Sequence, residues 1–473
     1  MSCSKPSTGR VGEGSKLYYH RVPEFWRKED KLQYLVRNVE LLGRWNALNT
    51  VEWDELTPDE RHTWLIPEHA GEFENFLMMG SKETKASRGL DAEAIFKLYS
   101  GGVKTNRDTV VFDFNQNELK VRIAQFIEDY NYEVDRYRRA GKPSNIDDFV
   151  NYQKIKWDST LKRHIQAVRY AEYSSDKTRQ SLYRPFAKQT LYFDSLLINS
   201  VHLQHYFFPT PATEQENWVI CVSGPGHDVF RCLIADCIVE LKYSNSANGG
   251  TQCFPFYVYD ADGTNRRENI TDWALAQVRA RYAPAPLAGR AGEGSETKVI
   301  TKWDIFYYVY ALLHHPDYRE RYADNLKRDL PRIPFAPDFW AFAEAGRKLA
   351  DLHLNYETVE PYELQWVTTG QISYTVEKMR LNKEKTALKV NDTLTLEGIP
   401  PQVFDYRLGN RSALDWVIDQ YRVKTDKRSG ITSDPNGYSD DERYIVDLVE
   451  KVVRVSLETV AIVDELAALP FRV

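Results

Sequence analysis

The stretch 218–260, WVICVSGPGHDVFRCLIADCIVELKYSNSANGGTQCFPFYVYD, decides the fold class of this chain. It contains short runs of β-branched, aromatic and other apolar residues, and turns rich in Gly, Pro and Asn separate these runs. Runs of this length and composition are typical of antiparallel strands joined by tight turns. We therefore predict a β-rich antiparallel part over about residues 183–282.

Helical patterns flank this β-rich part on both sides. Upstream, a short predicted strand at 109–114 precedes Asn115 and Glu118, which form a capping pair for a long helix. Downstream, 299–356 carries aromatic and apolar residues at helical spacing, and the tail 357–473 mixes strand and helix patterns. The predicted fold class is α+β, with a β-rich antiparallel middle flanked by helical segments.

The length of 473 residues exceeds what one ordinary hydrophobic core supports, so we expect several substructures. Residues 1–16 are small and polar and are predicted to be disordered. The stretch 283–298, APAPLAGRAGEGSETK, is predicted to be a flexible linker.

The charge balance argues against a protein that only coats nucleic acid. The formal net charge is −6, whereas such a coat is usually basic. The 62 Lys and Arg residues still leave room for a local basic face. The five Cys form no CxxC pair and no apolar run approaches a membrane span, so we expect reduced thiols, no membrane partner and a cytoplasmic location.

No convincing active site or metal site emerges from the residues themselves. The sharpest pattern is Asp228 followed by Glu240 and Lys242, because metal-dependent nucleases place two carboxylates on Mg²⁺ with a Lys nearby. The alternative is that Glu240 and Lys242 lie on the solvent face of a strand. We therefore name no catalytic residue and no metal ligand, and it stays uncertain whether the chain is an enzyme.

Eight ordered blocks carry a resemblance to a known family. The chain resembles the C-terminal specificity (target-recognition) domain of Type ISP restriction–modification enzymes over roughly residues 17–470. The blocks are SGGVKTNRDTVVFDF, FIEDYNYEV, YRPFAKQTLYFD, TQCFPFYVYD, FYYVYALLHHPDYRERYADNLKRDLPRIPF, DFWAFAEAGRKLADLHLNYE, SALDWVIDQYRVKTDKRSGITSDPN and VEKVVRVSLETVAIVDELAALP.

This resemblance implies a domain organisation. Residues 17–75 look like the end of an adenine-N6 methyltransferase domain, and 76–473 like the target-recognition domain, with a helical part at 299–356 and an α/β tail at 357–473. The cofactor-binding glycines and the Asn-Pro-Pro-Tyr motif of the methyltransferase are absent. We expect this chain to hold no cofactor, while S-adenosylmethionine, ATP and Mg²⁺ are implied for the full enzyme.

Under this resemblance, three basic loops are candidates for contacting double-stranded DNA. Two of them hold residue types that suit phosphate contacts, and in the second Pro185 stiffens the loop while aromatic residues anchor it. The alternative is that their cations are structural and pair with carboxylates at a domain junction, and that the third loop is solvated. The candidates are Lys104, Thr105, Asn106 and Arg107, then Arg184, Lys188 and Gln189, then Lys427 and Arg428.

Base-reading contacts are assigned to polar loops of the β-rich part, because Arg suits guanine, and Asn or Gln suits adenine. An ordinary solvated turn is the alternative for each of them. The candidates are Asn245, Asn248, Gln252, Arg266 and Arg267.

The resulting hypothesis is a sequence-specific DNA recognition module that directs adenine methylation and restriction carried by other domains or subunits. Its expected partners are double-stranded DNA and the methyltransferase and helicase/nuclease parts of the same system. Two alternatives stay open: a scaffold that docks a protein and never touches DNA, which the negative net charge favours, and the Mg²⁺-dependent nuclease.

Overall fold

The computed structural model describes residues 16–22, 26–40, 51–58, 62, 64–87, 93–227, 229–243, 250–282 and 299–472, with the backbone alone for 35–40. Internal contacts divide the chain into two compact units, Met1–Ala70 and Gly71–Val473. The domain boundaries assigned from the sequence stay predictions. The predicted linker and, apart from Lys16, the predicted disordered start lie outside the described residues.

In the first unit, β1 (Leu17–Tyr19) pairs antiparallel with β2 (Asp54–Leu56), and α1 (Lys28–Glu40) lies between them in sequence. The His20 ring connects these elements. Its Nδ1 lies 2.9 Å from the Glu52 carbonyl oxygen, and its Nε2 lies 3.0 Å from the Tyr34 hydroxyl.

The other described elements follow along the chain, and α2 begins at the boundary between the units. The helices are α2 (Ala70–Glu74), α3 (Lys82–Ala86), α4 (Asp108–Val111), α5 (Gln116–Arg139), α6 (Ile146–Phe149), α7 (Ser159–Gln166), α8 (Gln204–Phe207), α9 (Pro211–Glu214), α10 (Asp272–Tyr282), α11 (Lys302–Leu312), α12 (Pro316–Arg321), α13 (Ala323–Leu326), α14 (Phe339–Leu354), α15 (Ala413–Gln420) and α16 (Tyr444–Ala467). None of the described helices combines the length and the apolar character needed to cross a lipid bilayer.

The strands of the second unit are mostly short. They are β3 (Leu77–Met78), β4 (Ser100–Gly101), β5 (Phe112–Asp113), β6 (Thr178–Arg184), β7 (Ala187–Tyr192), β8 (Val219–Ser223), β9 (Cys232–Ala235), β10 (Ile238–Val239), β11 (Thr251–Pro255), β12 (Tyr257–Val258), β13 (Arg267–Glu268), β14 (Arg332–Ile333), β15 (Gln365–Thr368), β16 (Arg380–Leu381), β17 (Ala387–Lys389), β18 (Leu394–Glu397), β19 (Arg407–Leu408), β20 (Arg411–Ser412), β21 (Lys424–Thr425) and β22 (Thr432–Ser433). The predicted α+β class is confirmed.

The antiparallel sheet β4–β11–β8–β9 separates two hydrophobic cores. Along β8, Val219 and Cys221 belong to one core, while Ile220 and Val222 belong to the other. Because both faces of this sheet are covered, β9 and the first four residues of β8 are apolar at every position, which explains the continuous apolar runs 219–222 and 232–235 in the sequence. Cys221, like the other three described cysteines, is buried with a free thiol.

A second four-stranded sheet, ordered β10–β6–β7–β5, is built on the β6–β7 hairpin. It differs from the predicted all-antiparallel arrangement, because β10 runs parallel to β6. The stretch YRPFAKQ, predicted as a stiffened loop, is the turn of this hairpin together with the strand ends on either side of it.

The turn of the hairpin places a buried ring in a left-handed conformation. Arg184 pairs with Ala187, and Pro185 and Phe186 form the turn between them. Phe186 has φ +56°, a value that a type II turn requires at this position and that Gly or Asn usually supplies. Its ring is 1% exposed and contacts the rings of His353, Tyr356 and Tyr406, so the packing of the ring compensates for the backbone strain.

The predicted strand at 109–114 is only partly correct. The chain forms the single-turn helix α4 first, and only Phe112 and Asp113 pair as strand β5, with β7. The predicted cap of α5 is confirmed, because the Asn115 side chain accepts from the backbone N–H groups of Asn117 and Glu118.

The helical part is organised around α11, which is buried and packs along α14. The close approach of the two helices requires glycine at position 346, because a Cβ there would lie 1.9 Å from the Tyr307 carbonyl oxygen. Beyond α14, the antiparallel sheet β15–β18–β17–β16 and α15 lead to the β21–β22 hairpin. This last hairpin borders the site described next.

Candidate nucleic-acid interface

The first predicted DNA-contacting loop, residues 104–107, is half buried. Lys104 is exposed and Asn106 is half-buried with φ +58°, but Thr105 and Arg107 are 1% and 3% exposed. Asp108, which follows Arg107 directly in the sequence, is not among its partners in the structure. Instead Asp108 accepts a hydrogen bond from the Thr105 hydroxyl.

Arg107 is a structural residue of the protein interior. Its Nη2 lies 2.7 Å from the Asp158 carboxylate, and its Nη1 donates to the Leu197 carbonyl oxygen. Burial lowers the pKa of Arg107 and the charge of Asp158 opposes this effect. Thr105 and Arg107 are thus buried and bonded within the protein, and their contact with DNA stays a prediction.

Lys188 and Gln189, two of the candidates around Pro185, are also buried, and their contact with DNA stays a prediction. Lys188 is 7% exposed, and its Nζ lies 3.1 Å from the Glu357 carboxylate and 3.4 Å from that of Asp236. Burial lowers the pKa of Lys188, but nearby charges outweigh this effect and raise it above the ordinary value of 10.5. Gln189 is 6% exposed. Lys188 thus pairs with carboxylates, as in the alternative in which these cations are structural.

Arg184 also pairs with a carboxylate, but at the wall of a cavity. Its Nη1 lies 2.9 Å from Glu240 Oε2, and the same oxygen accepts the Lys242 backbone N–H at 2.6 Å. Glu240 is 5% exposed, so the expectation that it lies on the solvent face of a strand is wrong, whereas Lys242 is exposed. Burial raises the pKa of Glu240 to about 7, and Arg184 opposes the shift.

Two neighbouring cavities bring these segments together into one groove. The larger has a volume of about 730 Å³ and the smaller about 390 Å³, and both are lined by Asp108, Thr109, Asp426 and Ile431. The groove is bordered by the segments 104–110, 151–156 and 240–242 and by the β21–β22 hairpin. Of the residues predicted from sequence, it is lined by Lys104, Thr105, Asn106, Arg107, Arg184, Gln189 and Arg428.

The groove is locally basic on an acidic chain. Its acidic lining residues are Asp108, Asp113, Glu240, Asp419 and Asp426. Its cationic lining residues are more numerous: Lys104, Arg107, Arg122, Lys154, Lys156, Arg184, Lys242, Arg411, Arg422, Lys424 and Arg428. The excess is positive, whereas the whole chain has a formal charge of −6.

Most of these cations are already held by oxygen atoms of the protein. Arg122 pairs with Asp113, Lys154 with Asp129, and Arg411 and Arg422 share Asp419. Four exposed side chains have no such partner within the described part of the chain, and we call them the unpaired cations: Lys104, Lys242, Lys424 and Arg428. These four can meet an external anion with all of their side-chain N–H donors, because no contact within the described part of the chain occupies any of them.

The β21–β22 hairpin presents two of the unpaired cations. Residues 427–430 are exposed, as the solvated alternative implied, and Asp426 organises the turn, accepting from Arg428 N at 3.1 Å and Ser429 N at 2.8 Å. Lys427 is exposed in the same turn, although it does not line the two cavities.

Among the residues nominated for base reading, the three that the structure describes, Gln252, Arg266 and Arg267, do not line this groove. Gln252 lies in β11 between β4 and β8, Arg266 pairs with Glu216 at 2.5 Å, and Arg267 pairs with Asp260 at 2.8 Å. Asn245 and Asn248 lie outside the described residues, so their role stays a prediction.

The nuclease pattern lacks support in the described residues. Asp228 lies outside them, and Glu240 is engaged by Arg184. Within the described ranges, no group of three or more His, Cys, Asp or Glu side chains could hold a metal ion.

Sequence reasoning missed the segment 151–156, which supplies Tyr152, Gln153, Lys154 and Lys156 to the larger cavity. It also missed Lys424 and considered Lys242 only as a nuclease residue. One signal was available: the letters NYQKIKW interleave polar, basic and aromatic residues, as nucleic-acid contacts often do.

Comparison with known proteins identifies the family of this groove-bearing α+β fold. Residues 94–448 match the family model of the Type ISP C-terminal specificity domain. Because this match covers most of the chain, the chain belongs to that family. No curated protein matches the chain.

Several solved structures are similar to the chain. A nuclease-deletion mutant of the Type ISP restriction–modification enzyme LlaGI, in complex with a DNA substrate mimic, is 29% identical with a TM-score of 0.81, over 98% of this chain and 40% of that one. The ATP-dependent Type ISP enzyme LlaBIII bound to DNA is 26% identical with a TM-score of 0.77, over 94% and 27%. The DrdV–DNA complex is 33% identical with a TM-score of 0.78, over 95% and 43%. The chain thus spans less than half the length of each of these proteins.

Proposed function

We propose that this chain is a sequence-specific DNA recognition module of a Type ISP restriction–modification system. The observation that carries the proposal is the groove with its four unpaired cations on a chain of net negative charge. The similar structures are complexes of LlaGI, LlaBIII and DrdV with DNA or a DNA mimic, which supports extending DNA binding to this chain.

The chemistry of the groove suggests a different role for each group of residues that line it. The unpaired cations contact phosphates, which hold the duplex in place and make the affinity depend on salt. The paired cations of the groove wall, such as Arg184 with Glu240, keep the segments in position. Base edges are read by side chains that offer a defined hydrogen-bond pattern, such as the amide groups of Asn and Gln.

The methylation and restriction steps are assigned to other domains or subunits of the same system. A partnered adenine-N6 methyltransferase would take the target base out of the duplex. S-adenosylmethionine, ATP and Mg²⁺ are proposed for those partner parts. The cytoplasmic location stays a prediction.

Selection from a randomised duplex pool at two salt concentrations tests the proposal. We expect the purified chain to enrich a motif of a few base pairs, with affinity that falls steeply as salt rises. Salt-sensitive binding without an enriched motif would refute specific recognition by this chain. Absence of binding at both salt concentrations would refute DNA binding and favour the protein-docking scaffold.

A further inference from the structure

The loop 151–156 connects α6 and α7 and stands at the rim of the larger cavity. Most of its residues are exposed, including Tyr152 at 54% and Gln153. None of its residues was assigned a role from the sequence. The loop lines this cavity together with the 104–107 segment, Lys242 and Arg428.

The loop is held rigidly in spite of its exposure. Ile155 and Trp157 are buried at its base, at 1% and 5% exposure. Trp157 Nε1 donates to the Asn151 carbonyl oxygen at 2.9 Å, and Lys156 Nζ donates to the Asn106 carbonyl oxygen at 2.6 Å. These contacts close the loop on itself and tie it to the neighbouring basic segment. A rigid loop loses little conformational entropy on binding.

Within this loop, Gln153 has a polar side chain that can form hydrogen bonds with an external ligand. The Asn151 carboxamide oxygen is used internally, accepting the Gln153 backbone N–H at 2.9 Å. Lys154 Nζ lies 2.9 Å from the Asp129 carboxylate, and Lys156 is bound to Asn106. The Gln153 side-chain amide has no hydrogen-bond partner in the described part of the chain.

The other glutamines considered for DNA reading are less suited. Gln189 lines the smaller cavity but is 6% exposed, so a base edge could reach it only through the cavity opening. Gln252 lies in the middle of a sheet and outside the groove. Gln153 therefore combines exposure, a rigid support and a place beside the unpaired cations.

We infer that Gln153, presented by the 151–156 loop, reads a base edge in the major groove and sets specificity for adenine at one position of the recognised site. The inference rests on the proposed function and adds the residue and the base to it. A glutamine amide offers one donor group and one acceptor, which match N7 and the N6 amino group of adenine in a bidentate pair. Such a pair rejects the wrong bases by about 5- to 150-fold.

The test compares motif selection by the wild-type chain, Gln153→Ala and Gln153→Glu, each from the same randomised duplex pool. Gln365→Ala is the matched control, because Gln365 is also exposed and lines neither cavity. We expect Gln153→Ala to lose about 5- to 150-fold of adenine preference at one position, with the other positions and the salt dependence unchanged. Gln153→Glu should replace adenine by cytosine there, because a carboxylate accepts from the cytosine amino group.

The possible outcomes distinguish a failure of the proposed function from a failure of the inference about Gln153. A wild-type chain that enriches no motif refutes the proposed function, and the inference falls with it. A wild-type motif that both Gln153 variants select unchanged, or that they bind more weakly at all positions alike, overturns the inference alone. Thermal unfolding of each variant verifies that the exposed substitutions leave the fold intact.

Discussion

Removing the unpaired cations should reduce the salt dependence of duplex binding by a predictable amount. Each phosphate contact contributes about −0.9 to the slope of log K against log salt concentration. Replacing Lys104, Lys242, Lys424 and Arg428 together by Ala should therefore make that slope shallower by about 3.6. Between about 50 and 200 mM salt, the variant should lose about 150-fold less affinity than the wild type loses.

The assay is fluorescence anisotropy with one labelled duplex titrated at several salt concentrations. The matched control replaces Lys348, Lys378, Arg380 and Lys383 by Ala, because these exposed cations line neither cavity. Both variants lose the same net charge, so an effect of overall charge would appear in both. The reasoning is refuted when the groove variant keeps the wild-type slope, or when the control variant lowers it equally.

The remaining predictions concern pH and stability. Duplex affinity should rise as pH falls from about 8 to 6, because Glu240, with its pKa of about 7, loses its negative charge in the groove. Glu240→Gln should abolish this pH dependence. Glu214 also has a pKa of about 7 but lies outside the groove, so the control variant Glu214→Gln should preserve the dependence. The pKa of Glu240 is raised above its ordinary value of 4.5, so the folded chain holds this proton more tightly than the unfolded chain does. The free energy of unfolding should therefore fall as pH rises from 4.5 to about 7, which urea unfolding measures. Phe186→Ala should cost about 3–5 kcal/mol in chemical unfolding, because it removes a buried ring. Arg107→Ala should cost about 3–5 kcal/mol, because it leaves the Asp158 carboxylate without its buried partner.

Three outcomes would contradict these predictions. An unchanged pH profile in Glu240→Gln would remove Glu240 from the account of the groove. A Phe186→Ala variant of wild-type stability would show that packing does not hold the strained turn. An Arg107→Ala variant that folds stably but shows a shallower salt slope would restore the role of Arg107 as a phosphate contact.

Elements governed by local patterns could be predicted from the sequence. The Asn115 cap and the apolar face of α5 depend on residues within one helix, and the structure confirms both. Strands β8 and β9 of the two-sided sheet could be predicted because their runs are almost entirely apolar. The short segment 109–114 was assigned correctly only in part, since three of its six residues lie in α4 before β5 begins.

The candidate site could be predicted only in part, because its geometry depends on contacts between distant segments. Arg107 pairs with a carboxylate 51 residues away, and Lys188 with Glu357, and no local pattern reveals such partners. The presence of Lys or Arg in a loop therefore does not show whether the side chain pairs inside the protein or can contact a phosphate. The convergence of the segments 104–110, 151–156, 240–242 and the β21–β22 hairpin is likewise visible only in the folded chain.

The central claim is that a DNA duplex lies in this groove, and hydrogen–deuterium exchange of the chain with and without its selected duplex tests it most directly. The account predicts that DNA slows exchange in the segments 103–109, 151–156, 240–243 and 424–433, which border the two cavities. Protection concentrated instead in the β12–β13 region, 257–268, or exchange that DNA leaves unchanged throughout, would contradict it.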